Sequence, residues 1–395
     1  MRLRRNEAST RTALFAAAAA ILLPCSTQAV GQIAQQINLV TDSNAFLVSQ
    51  GLSPAVTEDP NLINPWGLSH SGTSPFWISN QETGTSTLYT GNGVPAPQPT
   101  PLIVTIPTSS PPPPGPTGQA FTGASGFQLV GGGNALFAFA NLDGSISAWN
   151  GTLGNMAAVQ NDTAGAVFTG LAVGSSGGNN YLYAANNAAG TINVFDQHFQ
   201  PVTNLAGSFQ DPNLPAGLSP FNVVNVGGQL FVTYAAGGAD ADEQDLGTGA
   251  VDIFSTDGTL IGRFATGGNL LSPWGVAVAP SGFDSLGGDI LIGNFSDEDG
   301  FINIFDPGGN YLGMLTMDGD PFNMPYLWAL DFRTGGAGVD PNALYFTAGI
   351  GDEEHGLFAE LLPVPEPSTW AMMLVGFGAM GMALRGRARP KAALA

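Results

Sequence analysis

The sequence predicts an all-β fold, and three observations predict it. Glycine and proline, with 55 and 29 copies, make up about a fifth of the 395 residues, against roughly 12% in average proteins. Short runs alternate apolar with other residues, as in Ile302-x-Ile304 and Val251-x-Ile253, which is the period of half-buried strands. The runs also recur as a unit. Six segments share one order: a Pro/aromatic/Gly-like start, a second strand ending in a small or amide residue, a polar loop, and a third strand.

Taken along the chain, the first element is not part of the repeat. Residues 1–29 join a basic start at Arg2, Arg4 and Arg5 to an apolar stretch from Ala13 to Leu23 and small residues at Thr27 and Ala29. That is the layout of a secretory signal helix, cleaved after Ala29. The only cysteine, Cys25, lies inside it, so an exported body has no disulfide to rely on.

The strand "QINLVTD" at 36–42 precedes the first repeat. The six units then cover 64–93, 124–154, 168–202, 219–264, 272–315 and 326–361. Turn pairs such as Asp257-Gly258 and Gly308-Gly309 suit tight hairpins between their strands. A four-stranded unit of about 40 to 55 residues repeated six times is the period of a six-bladed β-propeller. Candidate outer strands such as "PLIVTIP" at 101–107 and "YLGMLTM" at 311–317 follow the first five units, but the sixth stops at Leu361. Closure by the N-terminal strand 36–42 is therefore expected, because it fills the vacant outer place and protects an exposed edge.

Charge narrows the partners. Between residues 30 and 364 only Arg263 and Arg333 are basic, against 28 carboxylates. Such a surface repels phosphate, so nucleic acid and anionic lipid are excluded as partners of the body. Hard cations, neutral glycans and basic partners remain.

The last element begins at residue 363. Pro365-Glu366-Pro367 precedes an apolar segment from Trp370 to Leu384 and then Arg385, Arg387 and Arg389. This three-part pattern resembles the PEP-CTERM sorting signal of Gram-negative bacteria. The apolar part, about 15 residues, spans roughly 22 Å as a helix, short of a roughly 30 Å bilayer core, which suits a short transmembrane sorting helix and transient inner-membrane anchoring. The prolines keep the approach extended, and the arginines hold the end on the cytoplasmic side. The resemblance implies an exosortase-type processing enzyme as partner and release to the cell envelope or the extracellular matrix. Three domains result: signal peptide 1–29, propeller 30–362, and sorting tail 363–395. The body resembles secreted six-bladed propellers of the NHL and gluconolactonase-like type, a resemblance of architecture.

Chemistry is thinner. In each unit the loop from the second to the third strand shares a face with the start of the first strand. These loops carry Asn80 and Glu82, Asn141 and Asp143, Asn186 and Asn187, Asp240, Asp242 and Asp245, Asn294, Asp297 and Asp299, and Asp352, Glu353 and Glu354. Carboxylate and carbonyl oxygens suit Ca²⁺, which makes Asp240, Asp242, Asn294, Asp297, Asp299 and Asp352 the candidate metal ligands. Solvated turns explain the same residues as well. His70, His198 and His355 fall in different kinds of position, so no catalytic residue is assigned. Trp66, Phe221, Trp274 and Trp328 recur near unit starts and are expected to stack between blades. The sequence thus points to a structural or binding component of the envelope or exopolysaccharide matrix. The alternative is a metal-dependent hydrolase of lactonase type on the same scaffold.

Overall fold

The structure is a computed structural model and describes residues 31–109, 115–123, 125–237 and 245–364. Ala29 and the sorting residues Pro365, Glu366, Pro367, Arg385, Arg387 and Arg389 lie outside these, as do Asp240 and Asp242. The described residues are almost wholly β, with one short α-helix, Asn44–Ser49, and one 3-10 turn, Gly151–Leu153. Ser43 caps the α-helix by accepting from Phe46 N at 3.2 Å.

The described strands form a propeller of radially arranged sheets, each an antiparallel meander that starts at the axis. Five sheets are plain blades. Four of them have four strands and the third has three, Phe168–Ser176, Asn179–Asn186 and Thr191–Phe195. The remaining sheet is a composite of seven. Its axial part is Leu327–Asp331, Leu344–Ala348 and Leu357–Pro363, and the N-terminal strand Gln32–Thr41 then pairs antiparallel with Leu357–Pro363. The Thr316–Met317 hairpin strand adds to Gln32 and Ile33 in parallel.

The expectation of a six-bladed propeller is corrected: five sheets are blades, and the remaining sector is a composite sheet. The third sheet lacks an outer strand: Pro201 makes only an isolated bridge with Phe195, and with no N–H it adds no further rung to a ladder. The last sector is no ordinary blade, because the chain's start and the residues 316–321 are recruited into it. That recruitment buries Ile33, Leu39 and Val40, each worth about 1.5–3 kcal/mol of apolar burial.

The innermost strands follow one another around the axis, Pro65–Ser69 beside Pro116–Phe121, then Phe168–Ser176, Leu218–Val226, Pro273–Val278, Leu327–Asp331, and back to Pro65–Ser69. The glycine that follows the unit start makes this spacing possible. A methyl on Gly118 would stand 2.3 Å from Leu171 N, and one on Gly275 would stand 2.6 Å from Trp328 O. Inner strands so close leave no room for a side chain. We call the face where these strands begin the upper face, and the face where they end the lower face.

Candidate functional site

At the upper end the axis is filled. Trp66, Phe221, Trp274, Phe295, Tyr326 and Trp328 form one buried cluster. Trp66 and Phe295 each stack on Trp328, with centroids 3.5 and 3.9 Å away, and Trp274 meets Trp328 edge-on at 5.6 Å. The indole of Trp274 reaches across to donate to Thr169 O at 3.0 Å, and that of Trp328 donates to Asn64 Oδ1 at 3.1 Å. The expected stacking between blades is what these rings do, and it closes the channel above.

Below this plug lies an axial cavity of about 280 Å³, lined by the inner strands of all the sheets, with Gly67, Gln119, Leu171, Asn222, Gly275 and Asp331 among its walls. Exposure rises downward, from buried Asn222 to exposed Asn225, so the cavity reaches solvent at the lower face. Its amides are already engaged. Gln119 Nε2 donates to Gly67 O at 3.0 Å, Asn222 Nδ2 to Trp274 O at 2.8 Å, and Asn225 Nδ2 to Val173 O at 2.7 Å. Each bond ties one blade to a neighbour.

The titratable pair at the lower rim is His70 and Asp331, with Nε2 and Oδ2 3.1 Å apart and each side chain 24% exposed. Burial opposes the imidazolium, but Asp331 outweighs it, helped by the Ser71 carbonyl, so the His70 pKa is raised above its ordinary value. Arg333 lies beside them, 2% exposed, its Nη2 donating to Ser71 O and Ser74 O and its guanidinium 4.7 Å from the centre of the Phe76 ring. Burial lowers its pKa, with Asp331 and Tyr345 acting the other way. Sequence reasoning missed this group. The available signal was that Arg333, one of only two basic residues in the body, lies two residues after Asp331.

The other body cation, Arg263, bridges Asp211 and the fully buried Asp252. Desolvation raises the Asp252 pKa against the pull of that guanidinium.

The sequence-predicted ligands separate. Asn294 ends its strand fully buried, accepting from Leu271 N at 3.3 Å and donating to Asn269 O at 2.8 Å. Asn80, Asn141 and Asn186 end the equivalent strands and are likewise engaged within their own blades, Asn80 with Thr85 and Thr87, Asn141 with Ser145, and Asn186 with Ala189 N in its turn and Val167 N before the blade's first strand. The repeated amide thus holds turns and strand entries within a blade. Asp297 and Asp352 do come together, on the walls of a second cavity of about 360 Å³ at the upper face. Asp299 is not among its walls, and its N–H bonds Ser296 Oγ at 3.1 Å. Among the described residues no three His, Cys, Asp or Glu side chains gather as metal ligands would. His355 pairs with Asp42 at the end of the closing strand, 2.6 Å away, and stacks on Phe46 at 3.9 Å. His198 lies in the Asp196 turn, where its N–H bonds the Asp196 carboxylate.

Comparison with known proteins adds the chain's address. Residues 363–388 match the PEP-CTERM protein-sorting motif, a signal for export to the cell envelope and processing by an exosortase-type enzyme. Two proteins of Acanthamoeba polyphaga mimivirus, R648 and L690, both described as uncharacterised, are 31% and 30% identical over 80% of this chain; the matches cover 79% and 84% of those proteins. Among solved structures, a streptogramin B lyase aligns with TM-score 0.47 and 11% identity, covering 77% of this chain and 95% of that one. A gluconolactonase from Xanthomonas campestris aligns with TM-score 0.33 and 16% identity, covering 63% and 86%.

Proposed function

The chain belongs to the family of the mimivirus proteins R648 and L690, and from that premise we propose an exported, exosortase-sorted propeller that serves as a structural or binding component of the cell envelope or its exopolysaccharide matrix. In this reading residues 1–29 are removed after Ala29, residues 30–362 are the propeller, and residues 363–395 are the processed tail. The apolar part of that tail anchors the chain in the inner membrane until the enzyme acts. The sorting motif is the observation that carries the reading.

The axis supports binding over hydrolysis. A metal-dependent lactonase needs acids or amides aimed at one ion, and among the described residues no three His, Cys, Asp or Glu gather in that way. Gln119, Asn222 and Asn225 instead use their side-chain N–H groups to tie neighbouring blades together.

Mass spectrometry of the protein recovered from cells tests the proposal. Expected are an N-terminus at Val30, loss of the residues after the Pro365 region, and enrichment in the matrix or envelope fraction, with the tail retained in cells lacking the exosortase. An intact tail in exosortase-competent cells would reject it.

A further inference from the structure

We infer that the upper-face cavity containing Asp297 and Asp352 binds a non-acidic saccharide unit. This deepens the binding reading above and rests on it for where the ligand is met, while the pocket's chemistry stands separately.

The cavity, about 360 Å³, falls within the roughly 300–1,000 Å³ range of small-molecule sites. Its walls combine two kinds of surface. Half-buried Phe46, buried Tyr326 and apolar Met324 offer C–H and ring surface, whereas Asp297, Asn323 and Asp352 offer planar polar groups at the rim. A pyranose has the same duality. Its ring C–H faces pack on aromatic and apolar walls, and its adjacent hydroxyls donate to carboxylates and exchange bonds with amides. A bare divalent cation would use only the oxygens and gain nothing from the apolar walls.

Charge excludes the acidic ligands. No basic residue lines the cavity. Of the two cations in the body, Arg263 is bound to Asp211 and Asp252, and Arg333 is buried beside Phe76. A phosphate, sulfate or uronate would therefore meet two carboxylates and no counter-charge. A neutral sugar meets no such penalty, and an amino sugar gains an ion pair.

The polar groups are also held in place. Tyr326 Oη donates to Asp352 Oδ1 at 2.9 Å, and Asn323 Nδ2 donates to Glu298 O at 2.6 Å. Tyr326 and Asp352 both adopt φ of +56°, a conformation that side-chain-bearing residues keep only when their surroundings impose it. The strand Leu357–Pro363 runs from the upper to the lower face, so Val364, whose N–H bonds Gln32 O at 3.0 Å, lies at the face opposite the pocket.

The test uses the secreted protein purified from cells, probed on an array of neutral, amino and uronic saccharides and then titrated calorimetrically with the strongest neutral or amino ligand. Asparagine tolerates the left-handed backbone and keeps an acceptor for Tyr326, so Asp352→Asn retains the fold. That variant and Asp297→Asn are each expected to weaken binding about tenfold or more, while Asn225→Ala on the lower face leaves it unchanged. Binding to no neutral or amino saccharide, a preference for uronates, or unchanged affinity in both aspartate variants would overturn the inference. So would saturable binding of calcium chloride or tetramethylammonium chloride, abolished by both variants, without saccharide binding. None of these outcomes alters the termini found by mass spectrometry, so the pocket and the sorting reading fail separately.

Discussion

The two ends of the axis are built from the same six inner strands and have opposite characters. Above, aromatic rings from the inner strands and from Phe295 seal the channel. Below, the cavity opens beside His70, Asp331 and exposed Asn225. The difference teaches that along the axis itself tight packing and solvent access are separated. The upper half of the axis is core, with packing that leaves no room for a ligand. The lower half is a shallow well whose polar groups serve mainly to tie blades together.

Replacing one large group at each end is the strongest way to break this comparison. Trp328→Ala removes a 1% exposed indole that contacts four other rings of the plug, and should cost about 3–5 kcal/mol. Val173→Ala, half-buried in the lower well, should cost less than about 1.5 kcal/mol. Urea unfolding midpoints measure both, and equal losses would show that the plug is not core.

A finer test uses the two asparagines of one strand. Asn222→Ala leaves the buried Trp274 carbonyl without its 2.8 Å donor and should cost about 1–3 kcal/mol. Asn225→Ala breaks a bond of similar length at an exposed position and should fall within about 0.5 kcal/mol of the parent. A larger loss at Asn225 would mean that the lower rim, not the centre, holds the blades.

The smallest effect concerns pH. The raised pKa of His70 means that the folded state holds its proton more tightly than the unfolded chain does. The stabilisation is therefore fully present below the ordinary histidine pKa of about 6.5 and is lost as pH rises through the higher folded value. Unfolding of the parent and of His70→Gln should differ more at pH 5.5 than at pH 8. A gap that widens with pH would show that Asp331 does not dominate the site.

Much of the fold is legible because strand and turn signals are local. The outer strands found at Ile103–Thr105 and Tyr311–Met314 lie inside the runs "PLIVTIP" and "YLGMLTM", and the closing strand Gln32–Thr41 includes most of "QINLVTD". The three-stranded third sheet was harder to see, since proline is common in loops and its effect on an outer strand depends on where the chain runs. The candidate site was less legible. Asn294 and Asp297 are three residues apart and look alike in the sequence, yet one is consumed by the backbone of residues 269 and 271 and the other lines a cavity with Asp352, 55 positions away.

By itself the sequence determined the repeat, the lopsided charge and the sorting motif, because strand alternation, turn chemistry and a linear recognition signal are all written in neighbouring residues. Only the tertiary structure decided which polar groups stay available. The partners that consume them come from other blades, as when Trp328 Nε1 meets Asn64 across 264 residues of chain. No local pattern encodes that meeting, since it exists only once the ring has closed.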